Sequence, residues 1–379
     1  MSTRKLDIID AEMTDFIAQH NITPIGHLYA ELLTVISRAP PNDINKSLYV
    51  NEFLDMYFDG INLDESFNSK LVLVYEELIT AEILTYMHQW FLKQCCNINN
   101  ICVIFVYTLG IKQWYTQYLE LMAQPGLTII EATWINTKNV ARQKNIPQLT
   151  EQLIRKQLKY YFSFYGGSYS SLERDFLSIV SASTSMGWTD YCGIKSSDTE
   201  LDNYLEQLTY FSDRNAVDKL LLAKQLVKFK NVKDRYSAIT AYQSGVQWKI
   251  DKGSAIQVVR ETLNDSYFTA FTEKTIRSFI HLQVPMMFSG VGAVDNIKGL
   301  GFQFCDTIVD YNSYQYEKQF FIRVSKMFAE LTRIKNSYTL KQLEEIIIDN
   351  KDVFYHNYDL IQSGKLEKLA NSKIKEELI

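Results

Sequence analysis

The 379-residue chain is short of the residues that punctuate structure, with 15 glycines and 6 prolines. So few breakers argue against an all-β sandwich or barrel made of short strands and tight turns. Cysteine is scarce as well: Cys95, Cys96, Cys102, Cys192 and Cys305 form no CxxC pair. An odd count without paired spacing fits reduced, mostly buried thiols in a cytosolic protein and not a disulfide framework. The histidines (His20, His27, His88, His281 and His356) are scattered without HExxH spacing, which removes the usual zinc signature. GxxxxGK[ST], GxSxG, GxGxxG and Asp-x-Asp are all missing, so P-loop, α/β-hydrolase, dinucleotide and metal-diphosphate readings lose their motifs. A net charge of −5 gives no basic footprint for gripping duplex DNA. The longest apolar runs, such as Ile101 to Tyr107, have the length of a strand and not of a membrane span. Met1 to Asp10 mixes Lys, Arg and Asp with no apolar run behind it, unlike a secretory leader. These absences lead us to expect a soluble, cytoplasmic protein with no membrane partner.

What is present supports large cores. The chain is 46% hydrophobic and 22% charged, which excludes wholesale disorder, and its length suits two domains. An excess of Asn, Ile, Lys and Tyr is also the compositional mark of AT-rich genomes, viral ones among them.

Periodicity divides the chain. The segment to about Ile61 reads as helical, with Tyr29, Leu32, Leu33 and Ile36 at helical spacing, broken by Pro40-Pro41. From Lys70 strand and helix alternate: strands at 71–75, 101–107 and 127–134, helices at 80–95 and 112–123. That alternation predicts a parallel, Rossmann-like sheet. A helix-prone connector follows from Thr137 to Lys159. Beyond it we expect a strand at 160–165, a helix from Ser170-Ser171 and a helix-rich stretch over 196–235. The last α/β unit has strands at 256–259, 285–289 and near Phe302–Phe304, with a helix after Thr272. A charged helical tail closes the chain, with Leu340, Leu343, Ile346 and Ile347 on one face. The domains are therefore expected at 1–155, 156–335 and 336–379, with the tail packing back on the N-terminal domain.

The chemistry concentrates in the C-terminal half. A strand ending in Val258-Val259-Arg260 delivers Glu261 and Thr262 to its carboxyl end, where open α/β sheets bind ligands. Thr272 is a candidate N-cap, which puts Glu273 and Lys274 in a first helical turn whose free N–H groups favour phosphate. Lys274 adds charge for a diphosphate, and Glu273 accepts from ribose or sugar hydroxyls. The bland alternative is a capped, solvated helix start. Gly166-Gly167-Ser168 after the 160–165 strand is a tight turn or a ligand loop. Arg323 either pairs with Asp310 as a structural contact or meets a phosphate. For a general base, Glu76 and Glu77 follow the 71–75 strand at its carboxyl end, and Glu131 is a lesser candidate.

Phe271-Thr272-Glu273-Lys274 with Val284-Pro285 resembles the TEK…P segment of fucosyltransferase-like GT-B glycosyltransferases. Leu300-Gly301-Phe302, Asp310-Tyr311-Asn312-Ser313-Tyr314 and Arg323 continue the likeness toward phage and giant-virus glycosyltransferase-like proteins. The resemblance spans about Tyr160 to Leu331. Gly166-Gly167 stands where a basic loop is usual, and Gln315 where an acid is usual. The resemblance implies two Rossmann-like domains facing across a cleft and metal-independent transfer from a UDP- or GDP-sugar. It also implies Arg174, Glu273 and Lys274 at the donor. From their places after the strands and before the helix, Gly167, Ser168, Glu261, Thr262 and Thr272 are expected around them. No cofactor beyond the donor is implied. The acceptor is left open among hydroxymethylated DNA, as for a phage enzyme, and a protein, lipid or glycan. A non-catalytic structural or binding module of a virus is the third reading.

Overall fold

The computed structural model describes residues 19–20, 22–28, 45–59, 70–75, 79–94, 97–106, 108–132, 157–165, 187–190, 253–261, 267–280 and 282–378. The helices expected from Ser170 and over 196–235 lie outside the described residues. The fold is mixed α/β, with two four-stranded parallel sheets, a two-stranded ribbon and a helical C-terminal region. Two compact units are present. The first comprises Met1–Gln143, Glu261–Glu273 and Leu360–Ile379; the second comprises Lys144–Arg260 and Lys274–Asp359.

In the first unit the chain runs β1 (Ile22–Leu28), α1 (Lys46–Tyr57), β2 (Lys70–Tyr75), α2 (Ala81–Gln94) and β3 (Ile101–Phe105). It continues through β4 (Thr108–Leu109), α3 (Ile111–Met122) and β5 (Thr128–Glu131). The sheet order β1-β2-β3-β5 is parallel throughout and advances in one direction. Right-handed crossovers that always advance the same way put their helices on one face. The core agrees. Val50, Phe53 and Leu54 of α1, Ile83, Leu84, Met87 and Phe91 of α2, and Ile111 and Tyr115 of α3 share one cluster. Leu73, Tyr75, Val103, Phe105 and Ile129 meet them from the sheet. The alternate strand residues Val72, Cys102, Ile104 and Ile130 are buried too, as expected for a parallel sheet covered on both sides.

One element departs from the sequence reading: the segment expected to be helical to Ile61 contains the strand β1. Its Pro24 and Gly26 flank a register shift against β2. Pro is tolerated at a bulge on an edge strand, and β1 is at the sheet's edge.

The second unit begins with β6 (Tyr160–Tyr165), β7 (Gly187–Asp190) and β8 (Ser254–Arg260). Every residue of β8 is buried. The following strand, β9 (Thr269–Ala270), belongs to the first unit and pairs antiparallel with β4. Phe268 there enters the first unit's core, edge-on to Trp114 at 5.5 Å. Next come α4 (Glu273–Ile280), β10 (Val284–Phe288), α5 (Ala293–Lys298), α6 (Phe320–Ser337), α7 (Leu340–Asp349), α8 (Lys351–Gln362) and α9 (Lys365–Leu378). The sheet order is β10-β8-β6-β7, all parallel. Pro285 lies inside β10, which is acceptable because β10 is an edge.

The strand expected at Phe302–Phe304 is absent. Its backbone is satisfied by a side chain instead: Gln303 N–H donates to Asn357 Oδ1 at 2.8 Å, and Asn357 Nδ2 donates to the Gln303 carbonyl at 2.7 Å. Helix α6 packs Phe328 edge-on against Phe162 of β6, 6.0 Å between centroids. A capping box of Thr339 and Gln342 starts α7, which buries Leu343 and Ile347 and lies against β8. Helix α9 lies against β5 in the first unit, where Lys112 pairs with Glu377. No helix among the described residues is long and apolar enough to cross a membrane.

Candidate functional site

Strand order singles out one end of the second unit's sheet. The chain leaves β6 for β7 on one flank, then returns to β8 on the other flank and moves out to β10. Connections after β6 and β8 therefore diverge, and in open α/β sheets the crevice outside the carboxyl ends at such a reversal holds the ligand. In sequence, Gly166-Gly167-Ser168 follow β6 and Glu261-Thr262 follow β8.

Gly167, Ser168, Arg174 and Thr262 lie outside the described residues, as do Glu76 and Glu77 after β2. Glu261 and Thr272 are described and are brought together. Glu261 is fully buried and accepts from the Thr272 N–H at 3.1 Å and from its hydroxyl at 2.5 Å. Both carboxylate oxygens thus hold the residue that precedes α4. Sequence alone made both ligand contacts; in the fold they contact each other.

Glu273 opens α4 and Lys274 follows in its first turn, partly exposed. The inner face of this helix is fixed by Ile276 and Phe279, and Ser278 Oγ donates to the Thr275 carbonyl at 2.7 Å. Phe279 stacks on Phe302 at 4.6 Å between centroids. A helix start held this firmly keeps a constant direction, which an anion site requires.

Glu131, the lesser candidate for a base, accepts the Lys112 N–H at 2.9 Å. It satisfies a donor at the beginning of α3, a structural task.

Arg323 corrects one expectation. It does not pair with Asp310. Asp310 instead accepts the Asn312 N–H at 3.1 Å and caps the turn Tyr311–Ser313. The Arg323 guanidinium donates from Nη1 to the Glu317 carbonyl at 3.1 Å and lies over the Phe288 ring, 5.3 Å from its centroid. Phe288 is the last residue of β10, so Arg323 stands at the same carboxyl end of the sheet. The sequence marked the residue, but its partner depended on how the 310–319 loop folds.

Among its described residues the second unit thus presents Lys274 in the first turn of α4 and two buried guanidinium groups, Arg260 at the end of β8 and Arg323 over the end of β10. All three are suited to negative charge. Comparisons of the chain with protein-family models, curated proteins and solved structures find no match.

Proposed function

We propose that the chain is a metal-independent glycosyltransferase of the GT-B kind, with its nucleotide-sugar donor bound by the second unit. The observation that supports this reading is the strand order β10-β8-β6-β7, whose reversal falls between β8 and β6, the place where open α/β sheets bind ligands. The chain's TEK segment falls at the helix that follows β8, with Lys274 in the first turn of α4. In this role Lys274 and the N–H groups of α4 stabilise the diphosphate as it departs. The lack of an Asp-x-Asp pair favours independence of metal.

The first unit supplies the acceptor side in this scheme. Glu76 and Glu77, next after β2, are the residues we assign as general base to the acceptor hydroxyl. The acceptor class stays with hydroxymethylated DNA on one hand and a protein, lipid or glycan on the other.

The test is a thermal-shift screen against UDP-, GDP- and CMP-sugars, run in parallel with Lys274→Ala. At about a hundredfold excess over Kd a bound donor stabilises the protein by about 2.7 kcal/mol. Stabilisation by one donor that disappears in the variant supports the reading and names the nucleotide. A flat response to every donor rejects it and leaves a structural or binding module.

A further inference from the structure

Arg323 lies in the first turn of α6 with 2% of its surface exposed. A guanidinium carries five N–H donors. One donates to the Glu317 carbonyl, and Nε is buried with no hydrogen-bond partner among the described residues. The contact with the Phe288 ring is attractive but brings no countercharge.

Glu317 does not neutralise it. That carboxylate pairs with Lys326 at 2.8 Å and accepts the Gln319 N–H at 3.1 Å. Burial accordingly draws the Arg323 guanidinium down to about 10, and the Glu317 charge opposes this only in part. Buried charges in folded proteins are paired or bind something, because desolvation without a partner disfavours the charged form.

A second buried group points the same way. Gln315, 3% exposed, has its Oε1 without a hydrogen-bond partner among the described residues. Its backbone carbonyl accepts the Gly292 N–H at 3.0 Å, in the loop that follows β10. The Gln315 Nε2 donates to Asn312 Oδ1 at 3.0 Å and to Asp295 Oδ1 at 3.4 Å, which leaves a donor fork at the end of β10 and an amide oxygen on the segment bonded to the loop after it. A phosphate ester needs that combination, the fork for its oxygens and an acceptor for a neighbouring hydroxyl. The start of the 18-residue α6 adds its own preference for phosphate.

We propose that Arg323 binds the phosphate group of a ligand at the carboxyl end of β10, with Gln315 accepting from a hydroxyl of the same ligand. The ligand's phosphate supplies a full countercharge, which Arg323 does not have among the described residues. This inference stands on the second unit alone and does not need the ligand to be a sugar donor.

The test uses the full chain, with inorganic phosphate, pyrophosphate, UDP and GDP as probes and malonate as the carboxylate control. Arg323→Met keeps the stem over Phe288 and removes the charge; Arg323→Lys keeps the charge and removes the fork. Wild type should gain thermal stability with at least one phosphate probe, and malonate should do nothing. Arg323→Met should lose that gain and, in phosphate-free buffer, melt above wild type, because the uncompensated charge is gone. Arg323→Lys should bind about tenfold more weakly.

A structural arginine would behave in the opposite way, with Arg323→Met melting lower and the phosphate response unchanged. That result overturns the proposal, as does stabilisation by malonate or a wild type indifferent to all four phosphate probes. A response to inorganic phosphate alone supports a separate anion subsite; a response to UDP or GDP alone supports the donor's own phosphate. If no nucleotide-sugar binds while inorganic phosphate still depends on Arg323, the glycosyltransferase reading fails and this one holds.

Discussion

Glu261 gives both of its carboxylate oxygens to Thr272, at 3.1 Å to the backbone N–H and 2.5 Å to the hydroxyl. The two residues bracket the excursion that carries β9, so the bond closes a loop at its neck. A buried bond to a charged acceptor contributes roughly 1.5–3 kcal/mol. Glu261→Gln and Thr272→Val should each lower stability by about that amount, and Thr272→Ser should stay near wild type. Urea midpoints of the singles and the double variant decide the matter. Thr272→Val removes the hydroxyl's bond and keeps the backbone N–H bond, so the singles overlap in one bond and the double should cost less than their sum; simple addition of the two losses would show that they act separately.

His88 predicts a pH dependence. It is fully buried between Tyr115 and Gln124, at 2.5 Å from Nδ1 and 3.1 Å from Nε2. The Tyr115 hydroxyl accepts the Leu127 N–H at 2.9 Å, which leaves its own proton for His88 Nδ1. The ring is then neutral, with Nε2–H directed to Gln124. Burial lowers the His88 pKa below the ordinary 6.5, and the bond to Gln124 opposes this only in part. As pH falls through about 6.5 the unfolded chain takes up a proton that the folded ring refuses. Stability is therefore full above that pH, declines below it and levels off beneath the folded-state pKa. Urea midpoints at pH 7.5 and 5.5 should separate for wild type, and the separation should shrink in His88→Gln. An equal separation in the variant would assign the acid sensitivity to other groups.

The elements that were legible in the sequence are those whose own residues decide them. Ile101–Phe105 and Leu71–Tyr75 are continuous apolar runs, and runs of that length buried on both faces read as parallel strands. The start of α4 at Glu273 is likewise local. What was missed depends on distant partners. Strand β1 contains Pro24 and Gly26 and forms only because β2 lies beside it. Phe302–Phe304 looks like a strand by alternation, yet an asparagine from α8 takes the place of a neighbouring strand. At the candidate site, Lys274 was legible through the helix that carries it. The pairing of Glu261 with Thr272 and the burial of Arg323 over Phe288 required loop closures that no local pattern encodes.

The Asn357 side chain is the last case, and it is sensitive to single atoms. Its amide completes both backbone groups of Gln303 and is 1% exposed, so removal strands a donor and an acceptor together. Gln303 itself is exposed, so water can take over part of the bonding, and the loss is nearer that of ordinary hydrogen bonds, roughly 0.5–1.5 kcal/mol each. Asn357→Leu, close in volume, should thus lose about 1–3 kcal/mol. Asn357→Asp keeps the acceptor for the Gln303 N–H but turns the Nδ2 donor into an oxygen facing a carbonyl. It should therefore lose stability as well, and more at neutral pH than in acid, where a protonated carboxyl restores a donor. Hydrogen exchange at the Gln303 amide gives the local readout. Its protection should fall sharply in Asn357→Leu and persist in Asn357→Asp. Equal protection in all three proteins would mean that the backbone there is held by something other than Asn357.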